Sequence, residues 1–197
     1  MIEKEIKDFF DMLADGWDAD TVIDEKKMQR ILDAAGIREG IKVLDVACGT
    51  GVMIPQYLER NVDKVVAFDF SAGMIKVAKD KFGGHPKVEL WCTDIDGLQV
   101  EDVFDCVVIY NAFPHFLNPE QLIAKLAAKI VAGGKLTVAH DMGIKQLNAH
   151  HDQRAKKVSH RLMETTEMAK LLEPYFEVTH QISEEGIYIV SGTRQDE

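Results

Sequence analysis

Between residues 42 and 141 five apolar runs, KVLDVA, KVVAFDF, KVELWCTDI, FDCVVIYNAF and KLTVAHD, alternate with segments of helical period. Each run is apolar on both sides, so each reads as a strand buried on both faces. Such strands, alternating with helices, predict a parallel sheet covered above and below. The segments between them fit that scheme. In VMIPQYLERN, Pro55 is compatible with a helix only in the first turn, where its missing N–H costs nothing. Ser71 is placed to cap AGMIKVAKDKF, whose Met74, Ile75, Ala78 and Phe82 form one apolar stripe. PEQLIAKLAAKIV reads as a helix stopped by Gly133 and Gly134. Ahead of the first strand, Ile2, Ile6, Phe9, Phe10 and Leu13 share a helical face, and a second helical segment covers about 21–36, closed by Gly36. After residue 143 the pattern changes: helical pieces at about 144–158 and 164–173 precede FEVTHQI and GIYIVSGT, joined by the turn SEEG. These predict an antiparallel hairpin at the edge of the sheet. The expectation is therefore an α/β fold with a doubly wound, seven-stranded, mostly parallel sheet. One domain spans 1–197: an N-terminal helical cap (1–36), a core (40–142), and C-terminal helices with a hairpin (143–197).

Charge narrows the partners. The 197 residues carry 33 acids against 23 basic residues, a net charge of −10, with no basic cluster longer than RAKK. Phosphate neutralisation supplies most non-specific affinity for nucleic acid, so this balance disfavours such a substrate. No apolar stretch approaches the roughly 20 residues of a membrane-spanning helix. The N-terminus has no signal-peptide cleavage pattern, and a cytoplasmic location is expected. Three cysteines without a CxxC pair argue against a disulfide framework or zinc-thiolate site. Cys92 and Cys106 are expected in the core, and Cys48 sits in a glycine turn.

That turn, in VLDVACGTG (43–51), carries the functional signal. A strand, a glycine-rich turn and a helix start bring free N–H groups and a helix dipole to one point. The dinucleotide fingerprint needs a third glycine where Ile54 stands, and no Gly-Lys-Ser/Thr of a P-loop follows. Asp69, 18 residues after Gly51, ends the second strand where doubly wound folds place a ribose-binding carboxylate, and Asp94 follows the third strand. These features suit a nucleoside with a small charged tail and no phosphate.

VLDVACGTG, VVAFDFSAGMIKVA, CTDID and FDCVVIYNAFPHF, in this order, resemble the motifs of class I S-adenosylmethionine-dependent methyltransferases, small-molecule members of the type 11/25 kind. The resemblance covers about residues 40–142, and FFDMLADGWD is similar to the leading segment of such enzymes. It implies a Rossmann-like fold with S-adenosylmethionine as cofactor. Gly49 and Gly51 would let backbone reach the methionyl part, with Asp45 beside them. Asp69 would hold the ribose, Phe70 and Met74 would pack on adenine, and Asp94 with Ile95 would address its amino edge. Tyr110 and Asn111 would border the methyl group. The N-terminal helix (2–13) with the GWD turn would either lid the cofactor or simply dock on the sheet. NAFPH departs from the Asn/Asp-Pro-Pro-aromatic motif of nitrogen-methylating members, which points to a small oxygen, sulfur, carbon or metalloid acceptor.

Methyl transfer from a sulfonium mainly requires orientation, and an acceptor proton needs a base. Histidine has the appropriate pKa range. His115 follows the fourth strand, His140 and Asp141 end the fifth, and His150 and His151 lie on the next helix, with Ile144, Leu147, His151, Ala155 and Val158 in helical spacing. Three roles stay open: hydrogen-bonded residues of a polar pocket edge, a base or acceptor-orienting group from His115, His140 or His151, and a divalent metal site formed by those three. Two other classes remain, a non-catalytic S-adenosylmethionine- or S-adenosylhomocysteine-binding sensor or partner protein, and, more remotely, a nicotinamide oxidoreductase.

Overall fold

In a computed structural model, described for residues 3–150 and 160–195, seven strands form one sheet in the order β3-β2-β1-β4-β5-β7-β6. Strands β1 (Lys42–Val46), β2 (Lys64–Asp69), β3 (Val88–Cys92), β4 (Phe104–Tyr110) and β5 (Ile130–His140) run parallel. β6 (Phe176–Glu184) and β7 (Ile187–Arg194) form the hairpin, with β7 antiparallel to β5. The order reverses between β1 and β4, and doubly wound sheets bind their ligands outside the carboxyl ends at such a switch point.

Alternate side chains of each strand feed two apolar layers. Leu44 and Val46 of β1 pack with Leu122 and Leu126 of α5 (Pro119–Ala127) and with Leu172 of the helix Thr165–Leu172. Val43 points the other way, towards Ile31 of α2 (Glu25–Ala34), Ile54 of α3 (Ile54–Glu59) and Ile75 of α4 (Ala72–Phe82). Residues buried on both faces explain the unbroken apolar runs of β1, β2, β4 and β5. Strand β3, expected to be buried likewise, is only partly buried because it lies at the sheet edge. A third, small cluster joins Ile6, Phe9 and Phe10 of α1 (Glu3–Leu13) to Phe70 and Leu117, and so lays the N-terminal helix beside the sheet's carboxyl edge. No helix of the described residues is long and apolar enough to cross a membrane.

Three local expectations are corrected. Helix α5 ends at Ala127, and β5 starts at Ile130, ahead of Gly133 and Gly134. Ile130 pairs with Phe104 and is buried, and the register shifts between Phe104 and Cys106. A Cβ at Gly134 would come within 2.8 Å of the Asp105 carbonyl oxygen, and Gly133 sits at φ 73°. Gly134 thus serves a close backbone approach and Gly133 a left-handed turn at a bulge, not a helix stop. The second helical segment begins only at Glu25, where the Asp24 carboxylate accepts from the N–H groups of Lys26 and Lys27 at 3.0 and 3.2 Å. Cys92 is exposed at the end of the edge strand and is not a core residue, whereas Cys106 is buried.

Candidate functional site

The chain leaves β1 through a turn with three residues at positive φ: Ala47 (55°), Gly49 (55°) and Gly51 (84°). The two glycines differ in purpose. A Cβ on Gly49 would find only the Met74 sulfur, 4.0 Å away, so this backbone lies open to a ligand. A Cβ on Gly51 would strike Ile54 and Phe82, each at 2.9 Å, which makes Gly51 the contact point between α3 and α4. Gly49 lines a cleft of about 710 Å³ at the sheet's carboxyl edge, and Gly51 does not. Ala47, which the motif reading passed over, also lines it. An alanine in this left-handed conformation is strained by roughly 1–2 kcal/mol.

Asp69 ends β2 facing that turn. Its Oδ2 accepts from the Gly49 N–H at 2.9 Å and its Oδ1 from the Ser71 N–H at 2.9 Å. Each oxygen keeps acceptor capacity for one hydroxyl of a vicinal diol. Burial pushes the Asp69 carboxyl above the ordinary range, although the two N–H donors pull it back. Beneath the turn, Asp45 is fully buried, and burial together with the Asp69 charge pushes it up to about 8. It does not line the cleft. Its Oδ2 and the Tyr57 hydroxyl are buried without hydrogen-bond partners.

Phe70, Met74, Asp94 and Ile95 line the cleft along the β2–β3 side. Asp94 uses Oδ1 to accept from the Gly97 N–H at 2.8 Å. Tyr110 and Asn111 line it at the end of β4. Asn111 sits at φ 54°, and its amide clasps Asp141: Nδ2 donates to the carboxylate at 3.0 Å, and Oδ1 accepts from the Asp141 N–H at 3.2 Å. Burial, reinforced by the Asp141 charge, pushes the Tyr110 hydroxyl far above its usual range, so it stays protonated.

The histidines separate. His115, on the short turn Phe113–His115, lines the cleft with its ring edge-on to Phe10 of α1, 4.9 Å between centroids. His140 is fully buried against Tyr188 and does not reach the cleft wall. Asp141 and Met142, just beyond β5, line the cleft instead. His151, Ala155 and Val158 lie outside the described residues. Among the described residues no group of three or more His, Cys, Asp or Glu side chains could hold a metal ion. The three-histidine site therefore lacks His140 as a cleft ligand.

Sequence reasoning also missed how the cap is fastened. The Asp11 carboxylate accepts from the Ser71 hydroxyl at 2.6 Å and the Gly73 N–H at 2.9 Å, and pairs with Lys7. A Cβ on Gly73 would meet Ala14 and the Asp11 backbone at 2.9–3.0 Å, so only glycine admits α1 this closely. Partial burial works to raise the Asp11 pKa, but Lys7, Ser71 and Gly73 outweigh it and bring it to about 2. One turn further on, Asp18 accepts from the Thr50 hydroxyl at 2.6 Å and the Lys81 ammonium at 2.7 Å. The cap is thus tied to the glycine turn and to the helix following Asp69. Nothing in local sequence marks the docking role of Asp11 or Asp18, because the groups that they bind on the sheet side, Ser71, Gly73, Thr50 and Lys81, lie more than 30 residues away.

A turn open to close approach, a carboxylate with two free acceptor positions, and an apolar wall beside it define a nucleoside-binding α/β domain. Residues 43–134 match the family described as a methyltransferase domain. Over 110 residues the chain is 37% identical to the demethylmenaquinone methyltransferase of Renibacterium salmoninarum, covering 55% of this chain and 45% of that protein. Over 165 residues it is 28% identical to the malonyl-[acyl-carrier protein] O-methyltransferase of Acetivibrio thermocellus, covering 80% and 58%. The chain thus spans about half the length of the curated relatives it matches. Its fold is that of a chain from the complex between the Haloferax volcanii Trm112 methyltransferase activator and a methyltransferase, with TM-score 0.82, 17% identity and 98% of both chains covered. Residues 43–134 thus match a methyltransferase domain, and in sequence and fold the chain is similar to S-adenosylmethionine-dependent methyltransferases.

Proposed function

We propose that the protein transfers a methyl group from S-adenosylmethionine to a small-molecule nucleophile at oxygen, sulfur, carbon or a metalloid. The observation that carries this reading is one continuous cleft. Gly49 and Asp69 share its wall with an aromatic, apolar surface contributed by Phe10, Trp17, His115 and Phe116. When bound, S-adenosylmethionine supplies an electrophilic methyl group. The chain's own residues bind and orient. Asp69 accepts the ribose hydroxyls, Gly49 admits the methionyl backbone, Phe70 and Met74 flank adenine, and Asp94 and Ile95 face its amino edge. Asn111 holds Asp141 at the rim where the acceptor enters. Fixing the acceptor in line is worth up to about 7–11 kcal/mol in favourable cases. His115 and Asp141, both on the wall, are the groups placed to take an acceptor proton. His140, sealed against Tyr188, supports the sheet end and not the chemistry. The two relatives named above act on different acceptors, a quinone precursor and a malonyl group on a carrier protein, so likeness to them does not select one.

The test is calorimetry with S-adenosylmethionine, followed by release of S-adenosylhomocysteine across a panel of phenols, thiols and activated carbon acids. Binding with acceptor-dependent release supports methyl transfer. Tight binding with no release for any acceptor would favour a cofactor sensor instead.

A further inference from the structure

We infer that the acceptor end of the cleft takes an uncharged, ring-sized apolar molecule and repels anionic ones. This rests on the methyl-transfer reading above and names the substrate class of the same site. Two independent features carry it. The first is the wall beyond the cofactor residues. Phe10, Trp17, Val22, Ile23, Phe116 and Met142 line it, contributed by the cap, the turn after β4 and the end of β5. Phe10 and Trp17 meet edge to face with centroids 5.6 Å apart, and Phe10 meets His115 the same way, so the aromatic surface is preformed. Val22, Ile23 and Trp17 remain 83%, 39% and 40% exposed, an apolar rim waiting to be covered at the mouth of a cleft and not on a flat face.

The second feature is charge. Among the described residues, five carboxylates line the cleft: Glu3, Asp69, Asp94, Asp96 and Asp141. Among the described residues Lys125 is the only lysine or arginine of that wall, and its ammonium is paired with Asp96. A carboxylate, phosphate or sulfonate entering this space would find, among the described residues, no lysine or arginine apart from the paired Lys125. It would lie close to Asp141, whose carboxylate is engaged by the Asn111 amide and Tyr110 and by no cationic side chain in the described cleft wall. Burying an anion without a partner costs several kcal/mol, whereas a neutral hydroxyl or ring carbon loses nothing from acidic walls. The same field suits a sulfonium cofactor, which is cationic at the reacting centre. Attraction for the methyl donor and rejection of anionic acceptors thus follow from one charge distribution.

A pair of fluorescent probes differing by one sulfonate tests this directly. Protein saturated with S-adenosylhomocysteine is titrated with N-phenyl-1-naphthylamine and with 8-anilinonaphthalene-1-sulfonate, and energy transfer from Trp17 reports occupancy of the cleft. The neutral probe is expected to bind at least tenfold more tightly. Asp141→Asn, and separately Glu3→Gln on the exposed start of α1, should each narrow that ratio. Equal or tighter binding of the sulfonate overturns the inference. So does failure of the neutral probe to reach the cleft, or a ratio untouched by both variants. If S-adenosylhomocysteine itself does not bind, the methyl-transfer reading falls, and the probe pair on the free protein still decides the charge question.

Discussion

The parts of the cleft proposed for cofactor and for acceptor are built by different rules. At the cofactor end every working group is fixed by backbone within a few residues of a strand terminus. Ala47 and Gly49 adopt positive φ directly after β1, and Asp69 is held by two N–H groups at the end of β2. At the acceptor end the working surface is assembled from side chains far apart in sequence. Phe10 comes from α1, His115 from the turn after β4, and Asp141 from beyond β5. The cofactor end is rigid because its geometry is local. The acceptor end depends on docking a separate helical cap, and so on a few long-range bonds. Binding of cofactor and choice of acceptor should therefore respond to different substitutions.

The largest expected effect lies at the rigid end. Asp69→Ala removes a carboxylate that receives two backbone N–H groups and offers its remaining lone pairs to the ribose. Charge-assisted hydrogen bonds contribute about 1.5–3 kcal/mol each. Affinity for S-adenosylmethionine should fall at least about a hundredfold, or ~2.8 kcal/mol, by calorimetry. Circular dichroism should confirm the folded state, and Asp69→Asn should fall less. Retained affinity in a folded Asp69→Ala chain would remove the distinction between the two ends.

This contrast also explains what was legible in the sequence. Strand identities, the mostly parallel sheet and the hairpin followed from apolar runs and turn residues, because burial on two faces writes itself into local composition. The Ser71 cap and the Pro55 position were legible for the same reason. The limits of α5 and β5 were not. Ile130 pairs as a strand only because Phe104, 26 residues earlier, lies opposite it, and Gly134 is required by a carbonyl of another strand. Asp69 was readable because an acid at a strand end after a glycine turn is a local pattern. Ala47 could have been found by extending the Gly51–Gly49 spacing back two residues, and it was masked by its side chain. His140 misled because a histidine ending a strand looks like an edge residue, while the pleat turns this one into the core, 0% exposed. Asp11 and Asp18 carried no signal, since their role exists only after docking.

A smaller effect should come from undocking the cap. Asp11→Ala with Asp18→Ala removes the bonds to Ser71, Gly73, Thr50 and Lys81 while leaving the sheet untouched. Cofactor affinity should drop about tenfold, equivalent to ~1.4 kcal/mol, with amide exchange rising across 3–20 and not across β1 or β2. Acid should mimic the Asp11 half of this change. Its folded pKa lies near 2, below the ordinary carboxylate value of 3.8, so the stabilisation is present above about pH 4 and is lost as pH falls towards 2. Trp17 fluorescence should report that release. An unchanged affinity in the double variant would show that the cap only rests on the sheet.

Asp45 sharpens the comparison from beneath. With its folded pKa raised to about 8, it is mostly protonated at neutral pH in the free protein. Stability owed to this group is therefore present at low pH and falls as pH rises from about 4 through 8. A cationic ligand on the turn above favours the carboxylate, so binding should release a proton near pH 7. Affinity should rise several-fold from pH 6 to pH 8 and then level. Calorimetry in buffers of different ionisation enthalpy measures the released proton, and identical heats in all buffers would contradict it. Probe binding at the acceptor end should not share this dependence.

The smallest effect concerns Ala47, where the rigid end carries strain. An L-residue at φ 55° is disfavoured by roughly 1–2 kcal/mol, while glycine there would lose about 0.5–1 kcal/mol more chain entropy on folding. The difference predicts that Ala47→Gly raises stability by about 0.5–1 kcal/mol, visible as a higher urea midpoint with an unchanged slope. The methyl group of Ala47 also faces the cleft and packs on the larger apolar cluster. If the variant is stabilised and cofactor affinity is unchanged, the strain is incidental to binding. If affinity falls while stability rises, the alanine holds the turn in the geometry that the methionyl backbone requires. A variant less stable than the parent would show that packing of this methyl outweighs the backbone term, and that even the local end of the cleft is governed by its tertiary neighbours.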